Sequence, residues 1–344
     1  MHRNIISDST ASSTPNLQLR IVTHNIRYAT SDPFPNERLW IERAPRVLNQ
    51  LRHEVRYLSG PPSSSAIPTT STNAFICLQE VLHSQLNDIL AGLNYVRADG
   101  DALSEQANTI WSYVGVGRDD GKERGEYSPI LYPIQTFRLL HNETVWLSPT
   151  PDRPSKGWDA GSIRILTLAV FEHRRTRQRV LAANTHLDNA AAKSRKESVR
   201  IILETLRRIH EWLSPRGKLP IFLTGDFNSL PTDEAYLEMK RSGCMIDLHS
   251  AIPSQYRYGE NATFTGFEPG KYKGEQGRID FIWLGPQTTS DGLEAKEGKK
   301  TQMIKPKTGS PWQVDGYAVL PSVFDDGIYL SDHRVVVGDV RTDL

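Results

Sequence analysis

Five apolar runs of this chain stop on residues that form strands poorly and make good ligands: Asn25 in IVTHN, Glu80 in CLQE, His186 in NTHL, Asp226 and Asn228 in GDFN, and Asp332 with His333 in SDH. Asp280 opens a sixth run, RIDF. Asn and Asp close strands routinely, because their short side chains bond to nearby backbone, and one such case alone would read as a turn. Glu80 and His186 are not favoured turn formers. Asp280 lies between Ile279 and Phe281, where a buried carboxylate without a partner would cost several kcal/mol. Something cationic or protonated must face it. In open sheets, substrates bind where strand ends and loops converge, since side chains there face a cleft while the sheet holds them rigid. Polar residues repeated at the ends of six runs point to such a cleft.

The residue types narrow the chemistry. Amide and carboxylate oxygens from Asn25, Glu80 and Asp332, with no cysteine among them, suit a hard cation such as Mg2+ or Mn2+, which keeps several waters and works on phosphates. His186 and His333 can bind phosphoryl oxygens or move protons if a carboxylate orients each ring.

Side chains at run ends can be aimed only if the runs belong to fixed sheets. LQLRIVTHN, AFICLQE, SPILYP, IRILTLAVF, RVLAANTHL, PIFLTGDFN, IDFIWL and RVVVGDV are short, rich in Val, Ile, Leu and Phe, and read as strands. Helical patterns fall at 36–58, with Pro45 as a kink or new start, and at 82–93, 189–213 and 233–241. In the third of these, Val199, Ile202, Leu203, Leu206 and Ile209 make one apolar stripe for docking on a sheet. Strands that follow one another without a helix, as around 163–186, imply antiparallel neighbours, whereas strand-helix-strand units imply helices packed outside. The sum is a mixed α/β layered fold in which nothing resembling a linker divides the chain. The Pro/Ser/Thr-rich stretch 59–73 reads as a surface insertion. A second excursion, 285–325, carries Lys296, Lys299, Lys300, Lys305 and Lys307 and reads as a solvated loop.

Composition sets the outer limits. Forty-one basic against 40 acidic residues in a chain of 344 give a net charge of +1, so no global field favours nucleic acid, membrane or an acidic partner. Any anionic substrate must be held locally. The two cysteines, Cys77 and Cys244, have no metal-binding spacing. The first twenty residues lack the apolar stretch of about 7 to 15 residues that a secretory signal needs, and no run is long enough to span a bilayer. The expectation is a cytoplasmic protein. The sequons at Asn142 and Asn261 would be open to glycosylation if a leader had been removed.

Taken in order, THNIR, LQE, THLD, GDFNS, RIDF and SDH resemble the motifs of the endonuclease/exonuclease/phosphatase superfamily, over about Leu19 to Val340. The resemblance implies a four-layer α/β sandwich: two mixed, mostly antiparallel β-sheets packed face to face with helices outside. It implies a single catalytic domain over 17–344 behind a flexible segment, 1–16. It implies that Asn25 and Glu80 bind a divalent ion, Mg2+ or Mn2+, with Asp332 as a further ligand. Asp226 would orient or deprotonate the attacking water, and Asn228 would hold that water or a phosphate oxygen. His186 and His333 would flank the phosphate, with Asp280 orienting His333 and Glu126, in GEYSPILY, partnering His186. Tyr127 beside it is a candidate substrate contact. NIRYAT, GVGRDDGKERGEYSPILY and SKGWDAG followed by RILT are similar to a bacterial and fungal subgroup, and they make Arg27, Arg118, Trp158, Asp159 and Arg164 further substrate-side candidates. The implied function is metal-dependent hydrolysis of a phosphate mono- or diester by in-line attack of water. The expected partner is a soluble phosphorylated small molecule or nucleotide, acted on by a monomer. The alternatives are a DNA or RNA nuclease of the same superfamily and, from another class, a non-catalytic binding module. Every expected metal and catalytic position holds a competent residue, which weighs against the last.

Overall fold

Alternation along the strands builds the molecule, because successive side chains face opposite sides of a sheet. A computed structural model describes residues 16–56, 72–95, 110–213, 219–267, 276–287, 310–323 and 327–342. Its principal elements are β1 (Leu17–Asn25), α1 (Trp40–Arg56), β2 (Ala74–Gln79), α2 (His83–Asn94), β3 (Trp111–Val114), β4 (Ile130–Pro133), β5 (Phe137–Trp146), β6 (Ile165–His173), β7 (Arg179–His186), α3 (Ala192–Leu213), β8 (Ile221–Asp226), α4 (Glu234–Arg241), β9 (Ile246–Asp247), α5 (Leu248–Ala251), β10 (Arg257–Gly259), β11 (Asp280–Gly285), β12 (Trp312–Leu320) and β13 (Val335–Thr342).

The strands form a seven-stranded sheet, β10-β12-β13-β1-β2-β4-β3, and a six-stranded sheet, β5-β6-β7-β8-β11-β9. Three neighbouring pairs are parallel, β1 with β2, β7 with β8 and β10 with β12. The remaining pairs are antiparallel. The first two parallel pairs are each joined through a helix, α1 or α3, as a parallel crossover requires. In β1 and β2, Leu19, Ile21, Phe75 and Cys77 pack against Phe171, Ala182 and Phe222 of the other sheet. Their neighbours Val22, Ala74, Ile76 and Leu78 turn the other way, onto Val47, Leu51 and Val55 of α1 and Leu86, Ile89 and Leu93 of α2. On the second sheet Leu181, Ala183 and Leu223 meet the α3 stripe of Val199, Ile202, Leu206 and Ile209. Helix, sheet, sheet, helix: the four-layer α/β sandwich is as expected, and its two sheets are mixed and mostly antiparallel.

Three departures have physical reasons. Helix α1 starts at Trp40 rather than Asn36, whose φ of 66° is not helical, and it runs on through Pro45. Part of the second excursion is a strand: WQVDGYAVL, with a register shift at Val314/Gly316, pairs along β13. Strand β5, FRLLHNETVW, lies at a sheet edge with alternating exposure, so it carries no continuous apolar run. Residues 1–15, 57–71 and the lysines of 296–307 lie outside the described residues. Among the described residues no helix is long and apolar enough to cross a membrane.

Candidate active site

Strand register alone sets three candidates abreast. The parallel β7–β8 pair places His186 opposite Asp226, and the antiparallel β8–β11 pair places Asp226 opposite Asp280. From the other sheet, β1 ends on Asn25 beside Gln79, one residue before Glu80. The two sheets are tied together directly beneath. Gln79 Nε2 donates across the interface to Asn184 Oδ1 at 2.7 Å and to Thr23 Oγ1 at 3.0 Å. Asn184 Nδ2 donates back to the carbonyls of Leu78 and Pro129 at 2.7 and 3.0 Å. All three side chains are fully buried, and bonding one another removes most of the penalty that unpaired amides would pay there, with Gln79 Oε1 left without a partner.

Asp226 is the centre of the arrangement. Its Oδ2 accepts from Asn25 Nδ2 at 3.0 Å and lies 3.5 Å from both His186 Nε2 and His333 Nε2. Its Oδ1 accepts the Asn228 backbone N–H at 2.8 Å. Burial lifts the Asp226 carboxyl above the ordinary carboxylate range, against the pull of His333. Backbone geometry sharpens the strand end. Gly225 sits at φ 151°, and a Cβ there would meet the Thr185 carbonyl oxygen at 2.2 Å, so β7 and β8 could not approach with any other residue.

His333 Nδ1 is bonded to Asp280 Oδ2 at 2.8 Å. Burial opposes charge on this ring, but the carboxylates of Asp280 and Asp226 outweigh it and push the pKa up to about 10. The carboxylate at the start of RIDF thus has its cationic partner. His186 is in the opposite state. Burial, and then Arg164, press it down to about 3. Asn228 Nδ2 donates to the Leu187 carbonyl at 3.0 Å and lies 3.0 Å from His186 Nε2. That nitrogen is therefore the acceptor, and the proton sits on Nδ1, facing Glu126 Oε2 across 3.7 Å. Glu126 already accepts from Arg118 Nη1 at 2.8 Å and has Arg164 Nη1 at 3.8 Å.

Asn25, Glu80 and Asp332 supply the hard oxygen donors that a Mg2+-like ion prefers. Asn25 Nδ2 sits between Glu80 Oε1 at 3.0 Å and Asp226 Oδ2, a place where negative potential gathers. Glu80, held at φ 57° just past β2, keeps 15% of its side chain exposed, so an ion has access to it. Asn25 turns Nδ2 to these acids while its Oδ1 accepts the Arg27 N–H at 3.0 Å, and Asp332 Oδ1 accepts from Ser331 Oγ at 3.1 Å. The carboxylates of Glu80 and Asp332 and the remaining lone pair of Asn25 Oδ1 are the donor types a divalent cation takes. A second acidic cluster, Asp226, Asp280 and His333, brings its ligand atoms within 4.8 Å of one another. There His333 Nδ1 is taken up by Asp280, and a protonated ring has no lone pair to offer a metal.

The substrate-side candidates divide. Arg118 and Arg164 gather at Glu126, beside His186. Arg27 is spent on Glu37 at 3.1 Å and Glu80 at 3.7 Å, between the rings of Tyr28 and Phe34. Tyr127 is buried in the layer under α1 and α2; its hydroxyl lies 2.9 Å from His83 Nδ1 and donates to the Lys122 carbonyl at 2.8 Å. Asp159 Oδ1 accepts the Ser194 N–H at 2.9 Å and so caps the first turn of α3. Trp158, at φ 34° and 37% exposed, is placed on the adjoining loop surface. Three members of the neighbourhood lay outside the sequence reading. Asp188 accepts from the Ser162, Ala190 and Ala191 N–H groups and faces Arg164 Nε at 3.7 Å. Asn184 lies two residues before His186, on the same strand face, and Gln79 directly precedes Glu80. All three stand inside stretches singled out in the sequence, Gln79 in LQE, Asn184 in NTHL and Asp188 in THLD, without having been assigned a role.

The profile of the Endonuclease/Exonuclease/phosphatase family matches residues 22–333. Among solved structures, an endonuclease/exonuclease/phosphatase family protein from Bacteroides thetaiotaomicron is 26% identical, with 96% of this chain and 100% of that one covered and a TM-score of 0.72. An endonuclease/exonuclease/phosphatase from Bacteroides vulgatus is 28% identical over 94% of this chain and 99% of its own, with a TM-score of 0.70. A mannosyl-6-phosphatase from Bacteroides thetaiotaomicron is also 28% identical, with the same coverage and a TM-score of 0.68. No curated protein sequence matches the chain.

Proposed function

The chain belongs to the endonuclease/exonuclease/phosphatase family, and from that premise we propose that it hydrolyses a phosphate ester by direct in-line attack of water, with Mg2+ or Mn2+ held by Asn25, Glu80 and Asp332. The substrate we assign is a soluble phosphorylated small molecule. The similarity to a mannosyl-6-phosphatase favours a phosphorylated sugar within that class. A bound divalent ion supplies positive charge to the phosphate oxygens.

The protein's own groups account for the rest. Asp226, its basicity raised by burial, takes the proton of the attacking water. Asn228 spends both amide hydrogens on Leu187 and His186, so its Oδ1 is the free atom and orients that water. His333 carries a proton on each nitrogen. Asp280 fixes Nδ1, and Nε2–H is aimed where charge develops on the phosphoryl oxygens. His186, neutral, acts through Asn228.

The observation that carries this reading is the convergence on one oxygen, Asp226 Oδ2, of Asn25 at 3.0 Å and both histidines at 3.5 Å. The test is hydrolysis across a panel of sugar phosphates, dinucleotides, inositol phosphates and oligonucleotides with and without divalent metal. Asp226→Ala and His333→Ala should each lose at least ~100-fold, and retained activity in either removes the mechanism. A nuclease would need free cationic side chains along a groove. Arg27 and Arg118 are both paired to carboxylates, which ranks that alternative second, and strong salt-sensitive cleavage of oligonucleotides would reverse the order.

A further inference from the structure

We infer that Arg43, which lies in the first turn of α1 and touches none of the reacting groups, is the positioning residue that holds the Asn25 and Asp332 halves of the cation site in register. The inference rests on the assignment of Asn25, Glu80 and Asp332 as the ligands.

Arg43 is fully buried, and its guanidinium is spent on main-chain carbonyls. Nε donates to Arg38 O at 2.9 Å, Nη2 to Arg27 O at 3.1 Å, and Nη1 to both Ile26 O and Leu330 O at 2.7 Å. Its ion pair with Glu37 is long, at 3.9 Å. Ile26 follows Asn25 directly, and Leu330 stands two residues before Asp332. One nitrogen therefore staples together the two segments that bring these ligands from opposite ends of the chain. The Ile26–Arg27 peptide is gripped at both ends: its carbonyl accepts from Arg43, and its N–H donates to Asn25 Oδ1 at 3.0 Å. The plane of that peptide sets the Asn25 amide. Arg27, at φ 57°, is in a conformation that non-glycine residues seldom adopt without support. A second tie runs parallel, from Ser331 Oγ to the Asn25 carbonyl at 2.7 Å.

Electrostatics argues that geometry, not charge, is the purpose. The carboxylates of Asp332 and Glu80 act on this guanidinium, so a fixed positive charge here competes with the cation those groups would bind. Burying it is costly besides. What arginine alone provides is a rigid fork of five N–H donors; lysine keeps the charge but loses the fork.

The experiment is a Mn2+ titration followed by electron paramagnetic resonance of the free ion, on wild type, Arg43→Lys, Arg43→Met and Ser331→Ala, each checked for folding by circular dichroism. Arg43→Lys is expected to weaken Mn2+ binding by ~10- to 100-fold. Its hydrolysis should return toward the wild-type kcat as Mn2+ is raised, which a general loss of structure would not permit. A folded Arg43→Lys that binds Mn2+ as tightly as wild type overturns the inference while leaving the proposed hydrolysis standing. If Arg43→Lys fails to fold, Arg43→Met decides, since loss of every donor should weaken Mn2+ binding at least as far and unchanged affinity counts against us. Ser331→Ala, which removes an Oγ that also reaches Asp332 Oδ1 at 3.1 Å, calibrates the loss that follows from disturbing a ligand directly. Wild-type protein that binds no Mn2+ defeats the ligand assignment itself.

Discussion

His186 and His333 border the same oxygen of Asp226 at the same 3.5 Å, each with a further carboxylate on its other nitrogen, yet their surroundings push one ring down to about 3 and the other up to about 10. The difference lies in how far each carboxylate is already committed. Asp280 serves His333 at 2.8 Å. Glu126 is occupied by Arg118 at 2.8 Å and approached by Arg164 at 3.8 Å, and it stands 3.7 Å from His186, beyond hydrogen-bond reach. A carboxylate offsets one buried cation, and on the Glu126 side arginine has taken that place. Distance to a partner is thus a poor guide to protonation unless the partner's other neighbours are counted.

Removing the charge source on the His333 side should do the most damage. Asp280→Asn keeps the shape but takes away the carboxylate that holds the imidazolium, and kcat/KM on the best phosphate ester should fall by ~100-fold or more. A fall of only a few fold would mean that His333 works uncharged. Next in size is the pH dependence of stability, measured by denaturant unfolding in chelator, where the two rings should act with opposite signs. His333 titrates near 10 in the folded state against about 6.5 unfolded. Its contribution is complete below the unfolded value and is lost as pH rises toward 10. Asp280→Asn should flatten that alkaline decline. His186, held to about 3 when folded, destabilises the protein as pH falls below the unfolded value, because the unfolded chain then takes the proton more readily. Buried His24, also held to about 3, acts in the same sense, so the informative quantity is the difference between wild type and His186→Gln, which should be less acid-sensitive.

Smaller effects sharpen the contrast. Glu126→Gln leaves His186 neutral, as it already is, and should cost about tenfold in kcat/KM, or ~1.4 kcal/mol, with no shift in the pH profile of activity. A loss equal to that of Asp280→Asn would erase the distinction between the two sides. Asp159→Ala, beyond the Glu126 side, removes the cap of α3 and should lower stability by ~1 kcal/mol while leaving turnover within error. A selective rise in KM instead would return Asp159 to the substrate.

The central residues were legible because each ends or begins an apolar run, and a run that stops on Glu or His has no turn to explain it. A layered α/β fold was legible too, since β1-α1-β2 and β7-α3-β8 each alternate strand and helix patterns, while the sandwich order came from the resemblance of the motifs. What periodicity could not reveal is pairing between distant segments. β13 lies against β1 from the far end of the chain, and β12 hides behind an Asp-Gly interruption and a bulge. Asp159 and Tyr127, named as substrate-side candidates, are found bonded within the protein. Side chains able to contact a substrate are equally able to cap a helix or brace a loop, and their type does not say which. Arg43 gave no signal, because a buried guanidinium bonded to carbonyls looks, in sequence, like any basic residue on a helix.

Burial and neighbouring charges preset the cleft with two imidazoles on a shared carboxylate, His333 pushed toward its charged form and His186 toward its neutral one. Nitrogen-15 NMR of the histidine rings near pH 8, assigned with the His186→Gln and His333→Gln variants, reads it directly. His333 should show both ring nitrogens protonated, and His186 a proton on Nδ1 alone. Two neutral rings, or the charge on His186 instead, would contradict it.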